Sequence, residues 1–292
     1  MSASDDCTLR IWDITKMECE QVFKNHMKGV VVILDLSPKC LFLTGGKDKC
    51  IKIYSYMNKD AIKCIKSIYN AHDSILLSLA FNYEYDLLIS SGFDKYIKCF
   101  NIYSGTLKSA YKNDCSIYCL EFISKKALAA GCHIPGITIF SMNFKIIKVL
   151  KGHTQSVFCL LYLKKIKALV SGSLDNSIIL WDVKNGTPLR VLKSHFRSVL
   201  KLINFPDKDM IGSFGYDNAI RLWNYKKGKN VKTILQTDFQ RGGTHSLVYH
   251  YYASFVYVEE EKKFFFSYFG DNIKVREAKV IKDEARPFDW KV

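Results

Sequence analysis

The sequence predicts an all-β chain assembled from repeats, and three observations lead there. An aspartate stands six residues before an aromatic residue at Asp6 and Trp12, Asp48 and Tyr54, Asp94 and Phe100, Asp175 and Trp181, and Asp217 and Trp223. The aromatic positions 12, 54, 100, 140, 181 and 223 lie 40 to 46 residues apart, the kind of fixed period that marks a repeat architecture. Between them the text alternates at period two and is broken by Gly, Asn, Asp and Lys, as in IIKVLKGH, VFCLLYL and SIILWDV. That pattern reads as short strands with a turn about every ten residues, and no convincing amphipathic helix interrupts it.

The copies share further residues. Four residues before each of those aspartates stands a small hydroxyl: Ser2, Thr44, Ser90, Ser171 or Ser213. Twenty-two residues before the aspartate stands a histidine in four copies, His26, His72, His153 and His195. A looser copy near the end holds His245, Ser267 and Asp271, its spacing stretched by EEEKK at 259–263. A serine, a histidine and an aspartate in one copy raise the question of a catalytic triad, yet an active site needs one constellation in one cleft. Here the set recurs at constant spacing, which favours scaffolding.

These phased copies resemble the WD40-repeat β-propeller family. The resemblance rests on GHTQSVFCLLYLKKIKALVSGSLDNSIILWD (151–182) and SHFRSVLKLINFPDKDMIGSFGYDNAIRLWN (194–224), with weaker copies over nearly all the chain. It implies four-stranded blades of roughly 40 to 45 residues. A single such sheet cannot bury its own faces, so neighbouring blades must stack around an axis. Strand centres at 12, 54, 100, 140, 181, 223 and about 275 then imply seven blades.

In chain order the expected repeats are 1–24, 25–67, 68–110, 111–150, 151–192, 193–236 and 237–282, followed by a tail at 283–292. The first is partial, because the position 22 residues before Asp6 precedes Met1; its outer strands CTLRIWDI and ECEQVF are present, and a truncated amino terminus is one reading of this. The second and third replace tryptophan with Tyr54 and Phe100, and a phenylalanine has no proton to donate. The fourth, NDCSIYCLEFISKKALAAGCHIPGITIF, lacks histidine, serine and aspartate at the expected places. The fifth and sixth carry complete tetrads, His153, Ser171, Asp175 and Trp181, and His195, Ser213, Asp217 and Trp223. The seventh is divergent. The resemblance implies that each tetrad is a buried hydrogen-bonded network, running from indole to hydroxyl to imidazole to carboxylate.

The family's members mostly bind proteins or peptides on the rim where the histidine-bearing loop enters the first strand. Carried over position by position, that rim comprises Ile75, Leu77 and Phe93 in the third blade and Tyr118 in the fourth. It continues with Phe158 and Leu174 in the fifth and Leu200 and Tyr216 in the sixth. Val31 and Lys47 belong to the second blade and His250 to the seventh. Exposed apolar and aromatic side chains favour an interaction surface, while aromatic residues also fill cores, so inward packing of some of them remains the alternative.

Other functions fit less well. The net charge is +15, but the lysines are scattered through turns and strand ends, without the clustered Lys/Arg and interleaved aromatics of a nucleic-acid footprint. FQRGG at 239–243 invites comparison with phosphoinositide-binding propellers, yet Arg241 alone lacks the paired guanidinium grip on phosphate. No phosphate-cradling glycine loop and no paired carboxylates stand out, so neither an enzyme nor a cofactor is expected. Mean hydropathy is near zero, no apolar run approaches a membrane span, and the acids in MSASDDCTLR are unlike a signal peptide. The ten cysteines form no CxxC and read as small buried thiols of an intracellular, reducing compartment, cytoplasmic or nuclear. Cys115, Cys119, Cys132 and His133 are the only cluster with metal potential, at a spacing that matches no usual ligand pair. The expected partners are therefore other proteins, and the expected function a scaffold or adaptor.

Overall fold

The structure, a computed structural model, describes residues 1–235 apart from 14–15, 17, 58–61, 194, 206–207 and 218, together with the backbone of three later strands. Among the described residues the regular structure is strand, with a single turn of 3-10 helix at Ser37–Lys39. No helix there is long and apolar enough to cross a membrane. The chain divides into two compact units, Met1–Lys148 and Val149–Val292.

The first unit begins with a three-stranded sheet, β1 (Ser2–Ala3), β2 (Leu9–Asp13) and β3 (Glu18–Phe23). Three four-stranded antiparallel sheets follow. The second is β4 (Val30–Leu36), β5 (Leu41–Gly46), β6 (Ile51–Ser55) and β7 (Lys63–Ile68). The third is β8 (Leu76–Asn82), β9 (Leu87–Gly92), β10 (Tyr96–Asn101) and β11 (Leu107–Lys112). The fourth is β12 (Ile117–Ser124), β13 (Ala127–Cys132), β14 (Ile137–Ser141) and β15 (Ile146–Leu150). In the second unit, β16 (Val157–Leu163), β17 (Ala168–Ser173), β18 (Ser177–Asp182) and β19 (Thr187–Lys193) form the fifth sheet. The sixth is β20 (Val199–Phe205), β21 (Met210–Gly215), β22 (Ala219–Asn224) and β23 (Lys229–Leu235). A three-stranded ladder, β24 (Ser254–Val258), β25 (Lys263–Ser267) and β26 (Ile273–Glu277), comes last.

This architecture corrects the expected count: there are six blades, not seven. Among the described residues the sixth sheet runs to Leu235, and the ladder after it has three strands. His245, His250, Asp271 and FQRGG lie outside the described residues, as does the side chain of Ser267. In the first blade the described strands are three, and β1 holds part of its second strand, Ser2 and Ala3 pairing with Arg10 and Leu9.

Burial explains why the strands read as they do. The second and third strands of each four-stranded sheet are covered on both faces, so ALVSGS in β17 is buried throughout and SIILWD in β18 nearly so. The outermost strands face solvent, as TPLRVLK in β19 does. Cores form between neighbouring sheets. In the first unit Leu43, Ile51 and Ile53 pack with Leu76, Leu88 and Phe100, and Ile89 and Ile97 pack with Ile117, Leu128 and Phe140. In the second, Val170, Ile178 and Leu180 pack with Val199, Ile211 and Trp223. The third sheet thus supplies one face to each of two cores, and such stacking is how strands too short to fold alone become stable.

Candidate functional site

Each tetrad aspartate is placed by its own turn. The residue after it adopts a left-handed backbone, with φ of 67° at Cys7, 66° at Lys49, 70° at Lys95 and 69° at Asn176. The carboxylate caps that turn by accepting the N–H two residues on, from Cys50 to Asp48, Tyr96 to Asp94, Ser177 to Asp175 and Ala219 to Asp217. Aspartate is suited to this position because its short side chain folds back on its own backbone. The capped carboxylate then faces the histidine of the incoming loop. It also accepts the N–H just after that histidine, from Met27, Asp73, Thr154 or Phe196.

The four expected networks assemble. His26, His72, His153 and His195 place Nδ1 2.8 to 2.9 Å from the nearer oxygen of Asp48, Asp94, Asp175 and Asp217. Their Nε2 atoms lie 2.7 Å from the hydroxyls of Thr44, Ser90, Ser171 and Ser213. Trp181 and Trp223 donate Nε1–H to Ser171 and Ser213 at 2.8 and 2.9 Å, and Trp12 donates to Ser2 at 2.8 Å. The tryptophan is absent from the second and third blades, as expected. Phe100 cannot donate, and the buried Tyr54 Oη meets no partner at hydrogen-bond geometry among the described residues.

Hydroxyl to Nε2 and Nδ1 to carboxylate is also the connectivity of a hydrolytic triad, so burial decides the role. Thr44, Ser90, Ser171 and Ser213 are all 0% exposed, and in the fifth and sixth blades the hydroxyl oxygen already accepts an indole N–H. A substrate has no path to such an oxygen. Burial pushes each aspartate up, but the hydrogen bond from its histidine, the backbone N–H groups and the nearby charge together outweigh this, and all four carboxyls sit below their usual range, Asp217 at about 2. Burial holds His195 below its ordinary value, against the pull of Asp217.

The rim residues converge at the same sheet ends, and the ladder register explains how. On β4, β8, β12, β16 and β20 the pairing skips one residue, respectively Val31, Leu77, Tyr118, Phe158 and Leu200. A bulge of this kind re-aims one side chain. Beside each bulge the residue before the aspartate position donates its N–H two strand positions upstream: Lys47 to Gly29, Phe93 to Ile75, Leu174 to Ser156 and Tyr216 to Ser198, at 2.7 to 2.9 Å. Leu174 and Tyr216 are exposed, whereas Ile75, Leu77, Phe93, Phe158 and Leu200 are half-buried. Tyr118 is buried, edge-on to Phe93 at 5.9 Å, with its hydroxyl hydrogen-bonded to His133 Nδ1 at 2.9 Å.

Three neighbours of this rim escaped the sequence reading. Phe196 is 81% exposed beside Tyr216, Arg221 stacks over Phe196 at 5.7 Å, and Arg197 stacks over Tyr216 at 5.8 Å. The available signal was that Phe196 and Arg197 directly follow a tetrad histidine. Among the described residues no group of three or more His, Cys, Asp or Glu side chains is placed to hold a metal ion.

Comparison with known proteins places this geometry. The pattern of the WD domain, G-beta repeat, matches residues 17–55, 62–101, 144–182 and 186–224, more than half the chain. The chain is 26% identical to the human WD repeat and FYVE domain-containing protein 2 over 200 residues, covering 65% of this chain and 49% of that one. It is 37% identical to an uncharacterised WD repeat-containing protein of Schizosaccharomyces pombe over 190 residues, covering 63% and 51%. With the nuclear distribution protein nudF of Aspergillus niger it shares 25% identity over 189 residues, covering 64% and 37%. The chain spans about half or less of the length of these relatives. Repeat period, blade order and buried tetrads agree with the match, and the chain belongs to the WD40 (WD domain, G-beta repeat) family, an all-β β-propeller family.

Proposed function

We propose that this protein is a non-enzymatic scaffold that holds other proteins through the bulged rim of its blades. The observation that carries the reading is the bulge itself. In every four-stranded sheet it lifts one side chain out of the ladder at the same end, where in four of the five a tetrad stiffens the turn. In the second unit Leu174, Tyr216 and Phe196 add exposed apolar surface there, and aromatic residues on a rigid base are the usual anchors of protein interfaces. All ten cysteines are free thiols, which fits a reducing intracellular compartment.

The test replaces Phe158 and Tyr216 together by aspartate. The double variant keeps the melting temperature of the parent within a few degrees but loses its co-purifying proteins in a quantitative affinity pulldown. Retention of the same proteins at the same yield rejects the rim as the contact surface.

A further inference from the structure

The fourth blade is not empty where the others hold a tetrad. Its ladder opens with Ile117 opposite Cys132, just as Val30 faces Gly46, Leu76 faces Gly92 and Val199 faces Gly215. Counting back four residues from that first pair reaches His26, His72 and His195 in those blades and Asn113 in this one. Asn113 also donates its N–H to Lys95 O, as His72 does to Lys49 O, which confirms the equivalence. A side chain at Gly92 would run toward His72 Nδ1 and Asp94 Oδ1; here Cys132 fills that space, with Cys115 beside it. The Asn113 amide lies 3.5 Å from Cys115 Sγ and 3.7 Å from Cys132 Sγ, so one side chain bridges the two sulfurs. A thiol–amide–thiol cluster thus replaces the imidazole and carboxylate.

We propose that Cys115 and Cys132 are a redox modification site, a dithiol that a hydroperoxide converts to a disulfide. Cys115 Sγ attacks one peroxide oxygen: an S–O bond forms, the O–O bond breaks, and the departing oxygen leaves as an alcohol or water carrying the thiol proton. Cys132 Sγ then attacks the resulting sulfenic acid; the S–S bond forms, the S–O bond breaks, and the hydroxyl leaves as water with the second thiol proton. The two sulfurs give up two electrons and the peroxide accepts them. The roles follow from the surroundings. The neighbouring Cys132 side chain, aided by the backbone N–H groups of His133 and Ile134, holds the Cys115 thiol below its ordinary value against its burial. Cys115 and deeper burial push the Cys132 thiol up. Cys115 is the thiolate and Cys132 the resolving partner. The residues that follow Cys132, His133, Ile134 and Pro135 of the connecting turn, are exposed, so the pair sits beside the surface, within reach of a small oxidant. Closing the bond pins this turn, and with it His133, the partner of the rim residue Tyr118.

The test exposes the reduced full chain to hydrogen peroxide, alkylates the remaining thiols in denaturant, and maps the products by mass spectrometry. Trypsin cuts after Lys125 and Lys126, so a 115–132 link joins two peptides, and fragmentation separates Cys115 from Cys119. The expected product is a dithiothreitol-reversible Cys115–Cys132 link with a mass loss of two hydrogens, formed while Cys99 and Cys159 remain alkylatable. Cys132→Ser should leave a dimedone-reactive sulfenic acid on Cys115. The proposal is overturned if Cys115 and Cys132 stay alkylatable while exposed Cys19 is oxidised, or if Cys115 links to Cys119 instead. The wild-type map decides between these results even if the variant fails to fold.

Discussion

Asp175 shows how much one carboxylate holds. It accepts from His153, from the N–H groups of Thr154 and Ser177, and from the Ser177 hydroxyl at 2.6 Å. Asp175→Ala strands all of these donors, and the expected loss is about 3 to 5 kcal/mol in denaturant unfolding. Asp6→Ala, at an exposed carboxylate, should cost less than about 1 kcal/mol. The same groups give a pH profile. Asp217 sits near 2 when folded, so its contribution, on the order of 2 kcal/mol, is complete above the unfolded value of about 3.9 and lost as pH falls toward 2. His195 is held below its ordinary value, so the unfolded chain takes up a proton that the native imidazole refuses, and stability declines already below about pH 6.5. Melting temperatures from pH 8 to 3 should show both limbs, and Asp217→Asn should flatten the lower one. The histidines were legible in the sequence because a hairpin of equal length separates them from their aspartates in four blades. Asn113 was not: the fourth blade is one residue shorter over this span and has Ile134 at the aspartate position.

At the scale of the strand, the close approach of backbone to tetrad limits which residues fit. A Cβ at Gly215 would meet His195 Nδ1 and Asp217 Oδ1, so Gly215→Ala should destabilise by about 1 to 3 kcal/mol. Its counterpart in the fifth blade is Ser173, where a Cβ is already accommodated and the hydroxyl donates to Ser156 O at 2.8 Å. Ser173→Ala should therefore cost no more than about 1.5 kcal/mol, read from the same unfolding curves. Strand positions were legible because period-two text and turn residues carry local physics. The bulges were not, since a skipped residue is set by pairing with the next strand; the rim positions came only through the resemblance.

For the whole molecule the repeat period correctly foretold an all-β array, but the count of blades failed. The expected seventh centre near residue 275 rested on spacing and a loose copy of the tetrad, His245, Ser267 and Asp271, and the described strands there form a three-stranded ladder. Cysteine placement offers a global test of the packed blades. Burial raises Cys99, and it pushes fully covered Cys159 up to about 12, whereas Cys19 is exposed. In the native protein iodoacetamide should modify Cys19 within minutes and leave Cys99 and Cys159 intact until denaturant reaches the unfolding midpoint; mass spectrometry of timed samples checks this.

Val31, Leu77, Phe158 and Leu200 are skipped by their ladders, so their identity is decoupled from strand pairing and from the networks beneath. Each is a letter that can be rewritten without changing the grammar of the sheet. If the rim is the contact surface proposed above, a lineage built on this frame alters its contacts one blade at a time, and a protein engineer can draw a combinatorial library from the same four sites on an unchanged chassis.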